Sequence, residues 1–141
     1  MTPTRDGRML ELRVPARPGE LKTIREAVRS CVDGCGCNQK STADIVLAID
    51  EACQNIIRHA YSGQPDDLIV IEIDHVGDEL IFSLTDFAPT IDPKTVKSRD
   101  LDDVRPGGLG THFIRHVMDK TTYTKPPSGR GNLLRMVRRI D

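Results

Sequence analysis

The sequence predicts one α+β domain, a two-layer sandwich in which helices cover one face of a mainly antiparallel sheet. With 141 residues, 38% of them hydrophobic, the chain is long enough for one buried core and short for two. Segments with a two-residue apolar period occur near both ends and in the middle, and segments with three- and four-residue spacing lie between them. We therefore expect residues 1–141 to form a single domain.

The first elements are a strand and a helix. After a loose N-terminal segment over residues 1–8, apolar and polar side chains alternate over Met9–Val14, as in a half-buried strand. Apolar residues then recur at steps of three and four over Glu20–Val32, which predicts an amphipathic helix.

A second helix and a hairpin follow. Ser41 or Thr42 is the predicted N-cap of a helix that continues to about Tyr61. The β-branched and apolar runs Leu68–His75 and Glu79–Thr85 are separated by a short turn that contains a glycine. This pattern predicts two adjacent antiparallel strands.

The last part of the chain begins with a long connection. Residues 87–106 contain prolines, aspartates and basic residues without periodicity, and a connection of this length is typical of a functional lid. A helix is predicted to start at about Leu109 and to reach Met118, and strands are predicted at Lys120–Thr124 and Asn132–Ile140.

Charge and cysteine content restrict the class of protein. Twenty basic and 21 acidic residues nearly cancel, so neither a nucleic acid nor a membrane surface is the expected main partner. The N-terminus lacks the apolar run of a signal peptide and no segment is apolar enough to span a membrane, which predicts a cytoplasmic protein. Cys31, Cys35 and Cys37 are close in sequence, but they lack a histidine and a fourth ligand, so free thiols are favoured over a zinc site.

The predicted second helix carries a polar stripe. Glu51, Asn55 and His59 are four residues apart and so share one face of a helix. A glutamate can accept a proton from an attacking hydroxyl, and an asparagine carbonyl is a suitable ligand for Mg²⁺. A solvated helix face is the alternative interpretation of this stripe.

Asp86 ends the predicted strand at residues 79–85. A carboxylate held at the end of a strand can accept a hydrogen bond from an exocyclic amine such as that of adenine. A strand-terminating aspartate in a turn is the alternative interpretation.

A glycine cluster precedes the third predicted helix. Gly107, Gly108 and Gly110 let backbone amides approach an anion, and the N-terminus of a helix favours phosphate, with the Thr111 hydroxyl as a further donor. The order of residues fits neither of the common phosphate-binding glycine motifs, and glycine turns before helices are frequent.

In this order, the three features resemble the conserved boxes of the GHKL (Bergerat-fold) ATPases and, within them, the anti-sigma-factor serine kinases. Residues 51–61, EACQNIIRHAY, are similar to the E-A-x-x-N-x-x-x-H-A-Y helix of that family. The glycine box at residues 107–110 and the closing segment 131–136 are similar to its later motifs. The resemblance covers roughly residues 8–140.

The resemblance implies an ATP- and Mg²⁺-dependent serine/threonine protein kinase. It would phosphorylate a STAS-type anti-sigma-factor antagonist and sequester a sigma factor, and such proteins usually form homodimers. Glu51 would be the general base and Asn55 the magnesium ligand. The remaining nucleotide-binding residues implied by the resemblance are Asp86, Ala88, Arg105, Gly107, Gly108, Leu109, Gly110 and Thr111.

One motif departs from the family pattern. The superfamily box D-x-G-x-G is represented here by residues 86–90, DFAPT, which contain neither glycine. A non-catalytic module of the same fold that binds a nucleotide or a partner is therefore the alternative function. The ATPase domain of a sensor histidine kinase is a further alternative, and the short segment before the first strand argues against it.

Overall fold

The computed structural model of the protein describes residues 7–60, 67–88, 106–127, 129 and 131–140, with the backbone alone for residues 59–60 and 106–111. The elements are β1 (Gly7–Pro15), α1 (Leu21–Asp33), α2 (Gln39–Asn55), β2 (Leu68–Val76), β3 (Glu79–Asp86), α3 (Pro106–Val117), β4 (Lys120–Thr124) and β5 (Asn132–Arg139). A 3-10 turn at Pro18–Glu20 precedes α1, and a π-helical turn at Ile56–Ala60 continues α2.

The five strands form one sheet in the order β1-β2-β3-β5-β4, with every neighbouring pair antiparallel. Alternate strand residues and the apolar faces of all three helices join in one core, which confirms the predicted α+β sandwich. Its fully buried large side chains are Ile24, Val28, Val32, Ile45, Ile49, Ile69, Ile71, Ile73, Leu80, Phe82, Leu84 and Met136. None of the helices within the described ranges is long and apolar enough to cross a membrane.

β1 is longer than its alternation pattern predicts. The strand begins at Gly7 and pairs with β2 from there, so the prediction of a loose segment was wrong for Gly7 and Arg8. The Arg8 guanidinium lies 2.7 Å from both Glu72 and Asp74 of β2. Because these partners are more than 60 positions away in sequence, local periodicity does not reveal them. Residues 1–6 lie outside the described part of the chain.

The start of α2 also differs from the prediction. Asn38 is the N-cap, since its side chain accepts a 2.8 Å hydrogen bond from the Ser41 backbone N–H. Ser41 and Thr42 are buried within the first turn, so their prediction as caps was wrong. Asparagine three residues before a free amide is among the preferred N-caps, and Asn38 has the extended backbone conformation that a cap requires.

The start of α3 and the end of α2 are the next points of comparison with the prediction. α3 begins at Pro106, three residues before the predicted start at Leu109, because proline fits the first helical turn. Pro106 therefore belongs to the helix and not to the predicted lid, of which residues 89–105 lie outside the described part. The α-helical hydrogen bonding of α2 ends at Asn55, and the predicted end at Tyr61 lies outside the described residues.

Arg138 of β5 connects the two helices that lie side by side on the sheet. Its guanidinium donates a 2.7 Å hydrogen bond to the carbonyl of Val117, the last residue of α3. It donates another, of 3.0 Å, to the hydroxyl of Ser41 in the first turn of α2. The C-terminus of α3 and the N-terminus of α2 therefore lie together at the Arg138 end of β5.

Candidate functional site

A buried carboxylate lies at the opposite end of the sheet. Asp86, the last residue of β3, pairs with Asn132, the first residue of β5, and only 4% of its surface is exposed. Its Oδ1 accepts hydrogen bonds from the Asn132 amide nitrogen (2.9 Å) and from the Ala88 backbone N–H (3.0 Å). The structure thus brings together the predicted residues Asp86 and Ala88, and it adds Asn132.

Burial raises the pKa of the Asp86 carboxyl above its ordinary value, and the hydrogen bonds from Asn132 and Ala88 lower it in part. A carboxylate at this depth is costly unless it is hydrogen-bonded or meets a ligand. Perturbed acids of this kind concentrate at functional sites.

Gly131 allows the close approach of β5 to Asp86. Its φ is +87°, and a Cβ at this position would overlap the Asp86 carbonyl oxygen and lie 3.0 Å from the Cα of Phe87. Any residue with a side chain would push the two strand ends apart. The sequence analysis matched residues 131–136 to a family motif but predicted neither this close approach nor the contact of Asn132, although a glycine directly before an apolar strand was the available signal.

Glu51 and Asn55 lie one helical turn apart near the end of α2, as their spacing predicts, and both are partly buried. The Asn55 Oδ1 is buried, and no described residue donates a hydrogen bond to it. An orphaned carbonyl oxygen is an expected ligand for a hard cation, so Asn55 fits a Mg²⁺ that accompanies a nucleotide. The side chain of His59 lies outside the described part of the structure.

Arg58 is a basic neighbour of Glu51 that sequence reasoning missed. Its guanidinium donates a 2.9 Å hydrogen bond to the side-chain amide oxygen of Gln54 and lies 3.9 Å from the Glu51 carboxylate. Arg58 belongs to the π-helical turn, a feature that is frequent at functional sites and that sequence periodicity does not reveal. The seven-residue spacing from Glu51 was the only available signal.

The N-terminal turns of α3 contain most of the predicted phosphate-binding residues, namely Gly107, Gly108, Leu109, Gly110 and Thr111. The first amides of a helix have no intrahelical partner and point outward along the axis, which makes them donors for an anion. Of these residues only the backbone is described, and Arg105 lies outside the described residues.

The contacts of Arg138 show which end of each helix lies near the Arg138 end of β5: the N-terminus of α2 and the C-terminus of α3. From Ser41 at that end, α2 extends roughly 20 Å to Asn55, and from Val117, α3 extends back about 17 Å to Pro106. β5 spans a similar length, about 20 Å, from Arg138 to Asn132.

Buried residues along α2 and α3 join the core on one face of the sheet, and the two helices pack against each other. From these lengths we infer that both helices extend toward the end of the sheet that holds Asp86 and Asn132, α2 with its C-terminus and α3 with its N-terminus. We infer that the Glu51 turn, the start of α3 and the buried acid lie at this same end.

Three of the four cysteines, Cys31, Cys35 and Cys37, lie at or just after the end of α1, whereas Cys53 is buried in α2. None of the four forms a disulfide, and Cys31 and Cys35 share a side-chain hydrogen bond. Burial raises the pKa of Cys31 to about 11 and also raises that of Cys35. Across the described residues, no group of three or more His, Cys, Asp and Glu side chains is arranged to hold a metal ion.

Comparison with known proteins gives the family. Residues 14–138 match the family model described as the histidine kinase-like ATPase domain. Over 127 residues, the chain is 28% identical to the serine-protein kinase RsbW of Staphylococcus aureus, covering 84% of this chain and 80% of that protein.

Two solved structures share the fold. One contains the RsbU and RsbW domains of a Mycobacterium tuberculosis protein (TM-score 0.66, 17% identity), and the match covers 93% of this chain and 31% of that one. The other is the SiaB-SiaC complex of Pseudomonas aeruginosa (TM-score 0.65, 19% identity), with 96% of this chain and 93% of that chain covered. The family match extends over nearly the whole chain and agrees with the sequence resemblance, so this chain belongs to the histidine kinase-like ATPase domain family.

Proposed function

We propose that this chain is a serine/threonine protein kinase of the anti-sigma-factor type, which transfers the γ-phosphoryl group of ATP to a small antagonist protein. The observation that carries the proposal is the orphaned, buried Asn55 Oδ1 one helical turn from Glu51. A carboxylate alone is compatible with many functions, whereas a carboxylate next to an unpaired amide oxygen is compatible with a nucleotide bound with Mg²⁺. The name of the S. aureus relative, a serine-protein kinase, supports the same activity.

Each residue has a distinct role in this proposal. Glu51 accepts the proton of the substrate hydroxyl, and Asn55 is a ligand of Mg²⁺, which neutralises charge on the phosphates. Asp86 accepts a hydrogen bond from the adenine amine. The backbone of residues 107–111 and the side chains of Arg105 and Thr111 contact the phosphates, and residues 87–105 form the proposed lid over them.

We propose that Arg58 assists nucleotide binding next to Glu51. Its guanidinium lies near the carboxylate and carries a positive charge on the same helix face as Asn55. Positive charge at this point attracts the anionic nucleotide. Because 44% of the Arg58 side chain is exposed, solvent screens this effect.

The proposed partners are a STAS-type antagonist that carries the phosphoacceptor and a sigma factor that competes with it. The partner complex of the Pseudomonas aeruginosa protein with this fold is consistent with binding of a second protein. We further propose that residues 1–141 act as a single domain and that two copies associate.

Phosphoryl transfer to the antagonist protein in the presence of labelled ATP and Mg²⁺ tests the activity. We expect wild type to label the antagonist and Glu51→Gln to reduce the transfer rate at least a hundredfold, because the proton acceptor is lost. Glu26→Gln is the matched control, since Glu26 is exposed on α1, and it should retain the wild-type rate. Equal transfer by Glu51→Gln and wild type would contradict the assignment of the base.

Asn55→Leu tests the magnesium ligand separately. Leucine has a similar size and leaves no orphaned oxygen, so we expect the folded protein to keep its stability while the Mg²⁺ dependence of ATP binding is lost. Unchanged Mg²⁺ dependence in a folded Asn55→Leu variant would exclude this residue as the ligand.

A non-catalytic module that binds a nucleotide or a partner is the second candidate. The observation that favours it is Ala88 in place of the first glycine of the D-x-G-x-G box, buried at 4% exposure with its N–H bonded to Asp86. Tight ATP binding by wild type without labelling of the antagonist would support this candidate over the kinase.

A further inference from the structure

Asn132 and Asp86 form a buried polar pair between the ends of two central strands. Asn132 is 7% exposed and Asp86 is 4% exposed, and they are directly opposite each other in the β3–β5 register. The Asn132 amide nitrogen lies 2.9 Å from Oδ1 of Asp86, although the residues are 46 positions apart in sequence. No motif identified in the sequence includes this contact.

We propose that Asn132 is a specificity-determining residue that orients the Asp86 carboxylate so that the nucleotide site selects 6-amino purines over 6-oxo purines. The proposal rests on the proposed nucleotide-binding function and deepens it by naming the residue that orients the Asp86 carboxylate.

The hydrogen-bond pattern around Asp86 supports this role. Asn132 and the Ala88 N–H both donate to Oδ1, and two donors on one oxygen fix the plane of the carboxylate. Within the described part of the chain, neither of these bonds engages Oδ2. This oxygen remains the acceptor for a donor that arrives from outside.

The chemistry of the two partners explains the selection. An adenine 6-amino group donates to a carboxylate oxygen, whereas guanine and hypoxanthine present a carbonyl oxygen at the same position and are repelled. Asn132 is suited to orient the acid because an amide donates a hydrogen bond without a formal charge. A cation in its place would neutralise the carboxylate that attracts the amine.

Gly131 makes the contact between Asn132 and Asp86 possible. Because its missing Cβ lets β5 approach the Asp86 backbone, the Asn132 side chain reaches the carboxylate within 2.9 Å. A purely structural role of the pair would change the stability of the fold, whereas a role in base selection changes the ratio of two affinities.

Binding of ATP and of inosine triphosphate to the full chain, both with Mg²⁺, measures that ratio. The two nucleotides differ at the six position of the base. We expect wild type to prefer ATP and Asn132→Leu to reduce the preference by about tenfold, the value of one charge-assisted hydrogen bond. Asn132→Ser keeps a donor and should restore part of the preference. Arg135→Leu, on the exposed side of β5, is the control and should keep the wild-type ratio.

An unchanged ratio in both Asn132 variants, with the two affinities reduced equally, would overturn the proposal and leave Asn132 a structural residue. If Asn132→Leu does not fold, the ratio in Asn132→Ser decides by itself. The readout is separate from phosphoryl transfer. Wild type that discriminates the bases without labelling an antagonist would contradict the kinase and retain this inference, whereas wild type that binds neither nucleotide would overturn both.

Discussion

Arg138 donates a 3.0 Å hydrogen bond to the hydroxyl of Ser41, a residue 97 positions earlier in the chain. With its 2.7 Å bond to the carbonyl of Val117, this guanidinium joins the last strand to the start of α2 and the end of α3. The cation also lies at the negative end of the α3 dipole, which is favourable. The proposed site lies toward the other ends of these two helices.

We predict that Arg138→Met destabilises the fold by roughly 2 kcal/mol, because it removes the hydrogen bonds to Ser41, to the Val117 carbonyl and to the exposed Arg139 carbonyl, and it leaves the Val117 carbonyl without this donor. Urea unfolding measures the change. Arg139→Met is the matched control, since Arg139 is adjacent and exposed, and it should remain within about 0.5 kcal/mol of wild type. Equal effects of the two substitutions would contradict a connecting role for Arg138.

Gly131→Ala should be far more harmful than Gly129→Ala. Both glycines have positive φ, +87° and +79°, so alanine meets a similar backbone penalty of about 1 kcal/mol at each. Only at Gly131 does the new Cβ overlap the Asp86 carbonyl, whereas at Gly129 no atom of the described residues lies within 4 Å of it. We expect Gly131→Ala to lower unfolding free energy by at least about 2 kcal/mol more than Gly129→Ala and to weaken ATP binding. Similar losses in both variants would show that the overlap is relieved easily.

Asp86→Asn should stabilise the protein at neutral pH and impair nucleotide binding. Its side-chain oxygen still accepts from Asn132 and Ala88, and the buried charge is removed. Because burial raises the pKa of Asp86 in the folded state, ionisation of this group reduces stability as pH rises through that pKa. The advantage of Asp86→Asn should therefore be larger at pH 7.5 than at pH 4.

Urea unfolding at these two pH values and ATP titration check this prediction. The exposed Asp33→Asn is the control and should alter neither quantity in this way. Asp86→Asn that is less stable than wild type at pH 7.5, or that binds ATP normally, would contradict it.

Stability should decrease in alkaline solution in a way that depends on Cys31. The pKa of its thiol is about 11 in the folded protein and 9.0 as the ordinary value, so between these values unfolding releases a proton. Rising pH therefore favours the unfolded chain. We expect Cys31→Ala to lose less stability than wild type between pH 8 and 10.5, by on the order of 1 kcal/mol.

Unfolding is measured under reducing conditions to keep the thiols free, with Thr23→Ala as an exposed control on α1. Identical pH dependence of wild type and Cys31→Ala would show that the thiol does not couple to folding.

Local periodicity predicted most of the fold. The bounds of β4 are as predicted and those of β2, β3 and β5 differ by one residue, because a sheet that is covered on one face requires apolar side chains at every second position. The four-residue spacing of Glu51 and Asn55 likewise placed them on one face of α2. The errors, such as the cap of α2, fell at element ends, where competing polar side chains decide the boundary.

The local sequence pattern did not show which of the two neighbouring acids of α2 is available to act as a base. Asp50 and Glu51 are neighbours, yet Asp50 accepts hydrogen bonds from Arg25 of α1 (3.0 Å) and from Gln54 (2.7 Å) and is 8% exposed. Spacing placed Glu51 on the helix face of Asn55, and the family resemblance implied its role as the base. The packing of α1 on α2 gives the physical reason, because it commits Asp50 to a structural contact.

The sequence by itself determined the α+β sandwich, the strand and helix positions and the candidates Glu51, Asn55 and Asp86, since each depends on residues a few positions apart. Only the tertiary structure decided that Asn132 donates a hydrogen bond to Asp86, that Gly131 allows this close approach and that Arg138 contacts both α2 and α3. Those contacts depend on strand register and helix packing. Both are settled when the whole core is buried, so no local window of sequence contains them.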